Sequence, residues 1–441
     1  MKNRKSMAML LTGAMVAAMA MPCASNAAEK TQITLWHAMG GVNGETLASI
    51  VEDFNASQDE IEIVAEYQGN YDDTITKLKA AMQSNAGLPD ICQMYDVGTK
   101  FMYDSGSVIP VEDMFETTGY DASTVMDVIS SYYTVDGKQY SMPFNVSTPM
   151  LYYNKDAFAE AGLDPEVAPT TYDEVLECAK QLVESGAAPV GYSQAIYGWF
   201  FEQQLAGLGV TYGNNDNGRS AAVTAVDFDQ NGGGVKVFQM WKDLYDSGYF
   251  EDYGTTTADT QTAFFSGQTA MIIESTAIVK NALDSAYFEV GTAYLPRIEM
   301  SEEGGVIIGG GSLWLLDTGD TEREELAWKF VEYMTNAEVQ AKWSMGTGYF
   351  AINEAAYELD EMKAYLEEYP QFATAVNQLK DSPVNANTAG VLSGVQTESR
   401  LKFNELMPQV YSGDITPEEG VEQLAAAVNA AIENYNASTG Q

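Results

Sequence analysis

The chain has 441 residues, with 22 Lys and Arg against 63 Asp and Glu, a net charge of −41 and one histidine. Such a field repels nucleic acid and anionic lipid, so neither is expected as a partner. The lone His37 rules out most histidine-based metal sites and leaves a single candidate base for a Ser-His-Asp arrangement. It reads as a structural residue at a strand end.

In chain order, Lys2, Arg4 and Lys5 precede an uncharged apolar run over residues 7–21, closed by Ser25-Asn26-Ala27. This is the pattern of a secretory signal peptide covering residues 1–27. Cys23 offers a rival reading, a lipid-anchored extracellular protein, although Met21 and Pro22 before it suit acylation poorly. No later segment supplies the ~20 apolar residues of a membrane span. The mature chain is therefore expected to be exported, periplasmic and monomeric. Loss of the three leader cations takes its charge from −41 to −44. It is too long for one core, and two domains are expected. The cysteines beyond the leader, Cys92 and Cys178, lie in an apolar strand and a helical pattern and read as free thiols.

Residues 33–36 read as a strand, and 44–57 carry Leu47, Ile50, Val51 and Phe54 at helical spacing. Residues 61–67 alternate like a strand, Ile75, Leu78 and Met82 mark a second amphipathic helix, and 91–95 form a short strand. This βαβαβ order predicts a largely parallel sheet with helices on both faces. Residues 143–158 begin and end like a buried β segment, yet Asn145, Ser147, Thr148 and Pro149 interrupt it with polar groups and a missing backbone donor. A second α/β unit follows. Residues 171–186 form a helix with Val175, Ala179, Leu182 and Val183 on one face, 235–244 form another, and 270–273 and 290–295 read as strands. After the glycine-rich 307–314 the chain turns helical, with Leu326, Phe330 and Met334 spaced for a core, and a last helix covers 417–435. There is no internal repeat and no low-complexity linker. Two α/β lobes without a linker imply strands crossing between them, and the default binding site is the cleft they form.

Local motifs carry little chemistry. Asp227-Phe-Asp-Gln-Asn-Gly232 opens like a calcium loop, but Phe238 stands where a bidentate Glu is needed, and Asp229 reads instead as a helix N-cap. Gly309-Gly310-Gly311 is followed by no Gly-Lys-Ser/Thr and is no phosphate loop; close backbone approach, a hinge or a bulge remain. The 26 tyrosines and 6 tryptophans suit both sugar binding and a large core. Carboxylates are so numerous that a glycosidase pair could be drawn anywhere. A secreted metal-dependent phosphodiesterase or glycosidase is the most distant alternative, and no cofactor is expected.

Taken together, Trp36-His-Ala-Met39, Tyr67-Gln-Gly-Asn-Tyr71, Tyr95-Asp-Val-Gly-Thr99, the 143–149 stretch with Leu151-Tyr-Tyr-Asn-Lys-Asp-Ala-Phe158, Ile307-Ile-Gly-Gly310 with Ser312-Leu-Trp314, and Thr347-Gly-Tyr349 resemble the solute-binding proteins of sugar-type ABC transporters. The resemblance covers essentially the whole mature chain. Gly-Asn-Tyr and Ile-Ile-Gly-Gly point to the branch that binds sn-glycerol 3-phosphate and glycerophosphodiesters. It implies a two-lobed α/β fold of the type II periplasmic-binding-protein kind, with the ligand in an interlobe cleft spanned by hinge crossovers. Residues 28–144 and 309–355 would form one lobe, 145–308 and 356–441 the other. It implies no catalysis, and delivery of the ligand to a membrane permease. A neutral sugar or oligosaccharide is the alternative ligand.

The family's ligand contacts fall on Tyr71, Asp96 (a glutamate in the family), Ser147, Ser275, Gly310, Tyr349 and Arg400. A stacking tryptophan of the family is replaced by Ile196, with Tyr197 and Trp199 nearby. An arginine fork suits phosphate oxygens, hydroxyls and the Gly310 amide add neutral donors, and a carboxylate accepts from polyol hydroxyls. The resemblance places residues 143–158 where the chain passes between lobes, with Ser147 facing the cleft and Phe144 and Leu151 in the cores on either side.

Overall fold

The computed structural model describes residues 30–84 and 86–440. The leader and Cys23 lie outside the described residues. Among these residues no helix is long and apolar enough to cross a membrane.

Two sheets organise the chain. In the first, β1 (Thr31–His37), β2 (Ile61–Tyr67) and β3 (Ile91–Tyr95) pair in parallel, with β1 central and in register with β2 from Thr31↔Ile61 to His37↔Tyr67. Alternation sets the faces. Ile33 and Leu35 of β1 pack with Leu47, Ile50 and Phe54 of helix Gly41–Ser57, whereas Cys92 and Met94 of β3 pack with Leu78 of helix Tyr71–Ser84. Helices thus cover both faces, as the βαβαβ pattern predicts. Beyond β3 the sheet departs from the parallel expectation. The chain contributes β4 (Val108–Ile109), a two-residue hairpin β5–β6 (Thr134–Val135, Lys138–Gln139) and β7 (Met142–Ser147) before leaving for the second sheet. There it forms β8 (Pro149–Asn154), β9 (Val190–Ser193), β10 (Thr269–Ser275) and β11 (Val290–Ala293), in the order β11-β8-β10-β9. It then returns to the first sheet as β12 (Gly309–Leu316), antiparallel to β3, β4 and β7. A strand arriving from another lobe needs no helical crossover and can enter antiparallel, which is why a local βαβ reading misjudged this half. The second sheet is mixed as well, with β9 parallel to β10 and both β10 and β11 antiparallel to β8.

The interrupted stretch is one long buried passage. β7 belongs to the first sheet, β8 to the second, and Thr148 alone separates them. Phe144 stacks on Trp343 at 4.5 Å on one side, and Leu151 is fully buried on the other. The Thr148 carbonyl accepts from Thr276 N–H at 2.8 Å, and Thr148 N–H donates to Thr276 Oγ1 at 3.2 Å. Phe350 N–H donates to the Val146 carbonyl, and Gln378 Nε2 to Thr148 Oγ1 and the Pro149 carbonyl. Several separate passages of chain are therefore clasped at one point. A polar interruption of an apolar run is tolerated here because the side chains of Asn145 and Thr148 and the backbone around them find partners.

Cys92 and Cys178 are free thiols. His37 is buried, and its Nδ1 accepts from Met39 N–H at 3.2 Å, a local structural bond. The expected Asp229 N-cap is not formed. Helix Gly233–Asp246 is capped by Gly232 in the left-handed region, and Asn231 Oδ1 accepts from Gly233 N–H, while Asp229 accepts from its neighbour Gln230. The turn at Gly232 carries Asp229 out of reach of the helix start. No group of carboxylates, thiols and imidazole with metal-binding geometry occurs among the described residues.

Candidate ligand cleft

Between the two sheets lies a cleft of about 790 Å³. All seven positions expected to contact ligand, Tyr71, Asp96, Ser147, Ser275, Gly310, Tyr349 and Arg400, line it, although they span some 330 residues of sequence. Most reach it at or beside an element terminus. Tyr71 starts a helix, Asp96 follows β3, Ser147 ends β7, Ser275 ends β10, Gly310 is the second residue of β12 and Tyr349 follows helix Ala337–Thr347, whereas Arg400 projects from within helix Gln396–Ser412. Strand and helix ends point backbone and side chains into the gap between sheets, where such sites form.

One wall is aromatic. The Tyr71 and Tyr95 rings stack at 5.1 Å with 7° between planes, and Tyr349 stacks on Trp343 at 5.7 Å. Asn145 Nδ2 donates to the Tyr71 hydroxyl at 2.6 Å while its Oδ1 accepts from Gln93 Nε2 at 2.6 Å, so the Tyr71 phenol is fixed through two buried amides. Burial pushes the Tyr71 and Tyr349 phenols up, keeping both as neutral hydroxyls. Gly310, at φ +93°, lies so near this network that a Cβ would fall 1.8 Å from the Asn145 carbonyl oxygen. Only glycine fits. Ser147 is nine-tenths buried at the base, beside Thr148.

The opposite wall is ionic. Arg400, on helix Gln396–Ser412, donates from Nε and Nη2 to Glu202 at 2.8 and 2.7 Å and from Nη2 to Asp96 at 2.8 Å. Among the described residues its Nη1 takes no hydrogen-bond partner. The guanidinium also lies 5.9 Å from the Tyr197 ring centroid. Burial opposes its charge, but Asp96 and Glu202 outweigh that, and the group is held charged well above its ordinary range. Burial likewise pushes the Glu202 carboxyl up, against the pull of Arg400. Helix Gly198–Leu208 can bring Glu202 this close because Gly198 presses on Arg400; a Cβ there would sit 2.5 Å from the Arg400 Cα. The resemblance implies a polyol acceptor at Asp96 and an anion donor at Arg400. The structure couples them into one ion pair that bridges the sides of the cleft, and Tyr95 and Thr397 hydroxyls meet alongside at 3.2 Å.

Ile196 is fully buried away from the cleft, while Tyr197 and Trp199 line it, so aromatic surface is retained by the two neighbours. Residues missed from sequence are Glu202, Glu274, Gln261 and Thr255–257. Each carboxylate had a signal: Glu202 follows the aromatic run 199–201, and Glu274 follows the apolar run 270–273. A charge on a fully buried element needs a partner or a function.

Residues 49–374 match the family model described as bacterial extracellular solute-binding protein. The chain belongs to this family of solute-binding proteins, which serve ABC importers and are not enzymes. Over 421 residues, covering 94% of this chain and 95% of the relative, it is 32% identical to the sn-glycerol-3-phosphate-binding periplasmic protein UgpB of Escherichia coli K12. Identity is also 32% to the protein of that name from Pectobacterium atrosepticum, covering 99% and 98% of the two chains. Among solved structures, UgpB from Mycobacterium tuberculosis in complex with glycerophosphocholine superposes with a TM-score of 0.79 at 20% identity, over 92% of this chain and 99% of that one. The cyclic alpha-maltosyl-1,6-maltose binding protein of Arthrobacter globiformis gives 0.75 at 26%, over 92% and 100%. The two-lobed α/β fold is thereby that of periplasmic sugar-binding proteins, and the chain is an exported solute-binding protein that hands a small molecule to a permease.

Proposed function

We propose that the cleft binds sn-glycerol 3-phosphate or a glycerophosphodiester, and that closure of the lobes around it presents the loaded protein to the permease. The observation that carries this reading is the convergence of seven scattered positions, all taken from the glycerol-phosphate branch, on one cleft. In this reading the lobes comprise residues 28–144 with 309–355 and 145–308 with 356–441, and the ligand contacts are Tyr71, Asp96, Ser147, Ser275, Gly310, Tyr349 and Arg400. Arg400 Nη1 and the Gly310 amide receive the phosphate oxygens, and Ser147, Ser275 and Tyr71 take the polyol. The ligand's differential affinity for the closed arrangement supplies the switch.

A neutral sugar is the second reading. It is favoured by the two carboxylates that already compensate Arg400, which leave the wall with excess negative charge. Calorimetric titration with glycerol 3-phosphate, glycerophosphocholine and maltose decides between them. Arg400→Ala strands two buried carboxylates and is expected to cost about 3–5 kcal/mol of stability. Arg400→Lys keeps the charge and loses the fork, so it isolates binding. Binding of a phosphate ligand, weakened roughly a hundredfold by Arg400→Lys, supports the reading. Maltose binding that is insensitive to this change overturns it in favour of the sugar.

A further inference from the structure

We propose that Glu274 makes one end of the cleft a receptor for a primary ammonium group carried by the ligand. The inference rests on the cleft being the ligand site.

Glu274 is nearly fully buried at the end of β10 yet lines the cleft. Its Oε1 accepts from Ser275 N–H at 2.7 Å and its Oε2 from Gln261 Nε2 at 2.9 Å. Each carboxylate oxygen has two acceptor directions, so one on each remains for a donor in the cleft. Among the described residues Arg400 is the one cation lining the cleft, it is committed to Asp96 and Glu202, and Glu274 forms no ion pair. A buried carboxylate with no cation is costly, and functional sites are where such groups persist. Burial also pushes its carboxyl up, a cost to the charged form that a bound ammonium group offsets.

The surroundings favour a cation with N–H donors. Gln261 bonds Glu274 directly, and Thr255, Thr256 and Thr257 line the same cleft with hydroxyl oxygens. A primary ammonium has three N–H donors to distribute over such acceptors, whereas a trimethylammonium has none and is held by aromatic faces. Two sources share this chemistry, a glycerophosphodiester ending in ethanolamine and an amino sugar.

The test is titration calorimetry on the mature chain with glycerophosphoethanolamine against glycerophosphocholine, and with glucosamine against glucose, for wild type and Glu274→Gln. In wild type the ethanolamine diester, or glucosamine, is expected to bind roughly tenfold tighter than its ammonium-free or methylated counterpart. Glu274→Gln is expected to bring the paired affinities together. The wild-type comparison needs no variant, so a folding defect in Glu274→Gln cannot rescue or hide the result. Equal affinities in wild type, a preference that survives Glu274→Gln, or failure of both amines to bind overturns the inference. Failure of both diesters while glucosamine outcompetes glucose leaves Glu274's role standing and overturns the glycerophosphodiester reading instead.

Discussion

Asp96, Glu202, Glu274 and Arg400 are four ionisable side chains buried around one cleft, and their burial has a cost that pH can read. Burial pushes the Glu274 carboxyl above its ordinary 4.5, with Gln261 and Ser275 N–H pulling it back. A carboxyl raised in the folded state keeps its proton after the unfolded chain has lost its own. Stability from this group therefore falls as pH rises from about 4.5 through the folded value. Glu274→Gln removes that loss, so its melting temperature relative to wild type should climb between about pH 4.5 and pH 7.5. Thermal melts of both proteins across that range check it; a constant difference would mean that Glu274 is ionised as freely as in water. Glu202 has the same sign, but Arg400 opposes burial there, and its contribution cannot be separated by removing a partner.

Elements explain why the site survives so many close approaches. The β7–β12 pairing needs glycine at 310, because a Cβ would meet the Asn145 carbonyl at 1.8 Å and the backbone is left-handed at φ +93°. Gly310→Ala is expected to lower unfolding stability by about 3 kcal/mol or more, and to weaken ligand binding because Asn145 fixes Tyr71. Denaturant unfolding decides this, and a variant as stable as wild type would mean that the strands part easily. The same scale shows what could be read in advance. Strands β1 and β2 and the helices between β1 and β3 follow from alternation and 3.6-residue spacing, because each packs one apolar face, while β3, buried on both faces, reads as a short apolar run. The helix carrying Arg400 does not announce itself, since its buried side includes Gln396, Ser399 and Arg400 beside Phe403, Leu406 and Met407. Polar residues buried for a site erase the apolar stripe that marks a helix. The direction of β12 was equally hidden, because its partners β3, β4 and β7 all precede the second sheet, whose whole excursion separates them from it in sequence. The seven cleft positions were legible only through resemblance. Glu202 and Glu274 were visible as charges beside apolar runs, with nothing local to say what they face.

For the whole molecule the net charge of −41 is the dominant long-range term. Repulsion among the surplus carboxylates is screened by salt, so the melting temperature should rise from about 0.02 M to about 0.5 M salt. The association rate of an anionic ligand should rise over the same range, the reverse of a steered encounter, and stopped-flow binding of glycerol 3-phosphate measures it. A rate that falls with salt would show that local donors around Arg400 outweigh the global field.

The return of β12 to the first sheet has a consequence for how the chain is made. That strand lies between β3 on one side and β4 and β7 on the other, so the first sheet stays split until residues beyond Leu316 exist. Its halves are joined by pairings such as Gly311↔Tyr95, more than two hundred residues apart, and contacts of that span close slowly. A polypeptide leaving the ribosome leader-first can complete neither the first sheet nor the cleft early. For an exported protein, late closure of its central sheet is compatible with translocation of the chain before it folds.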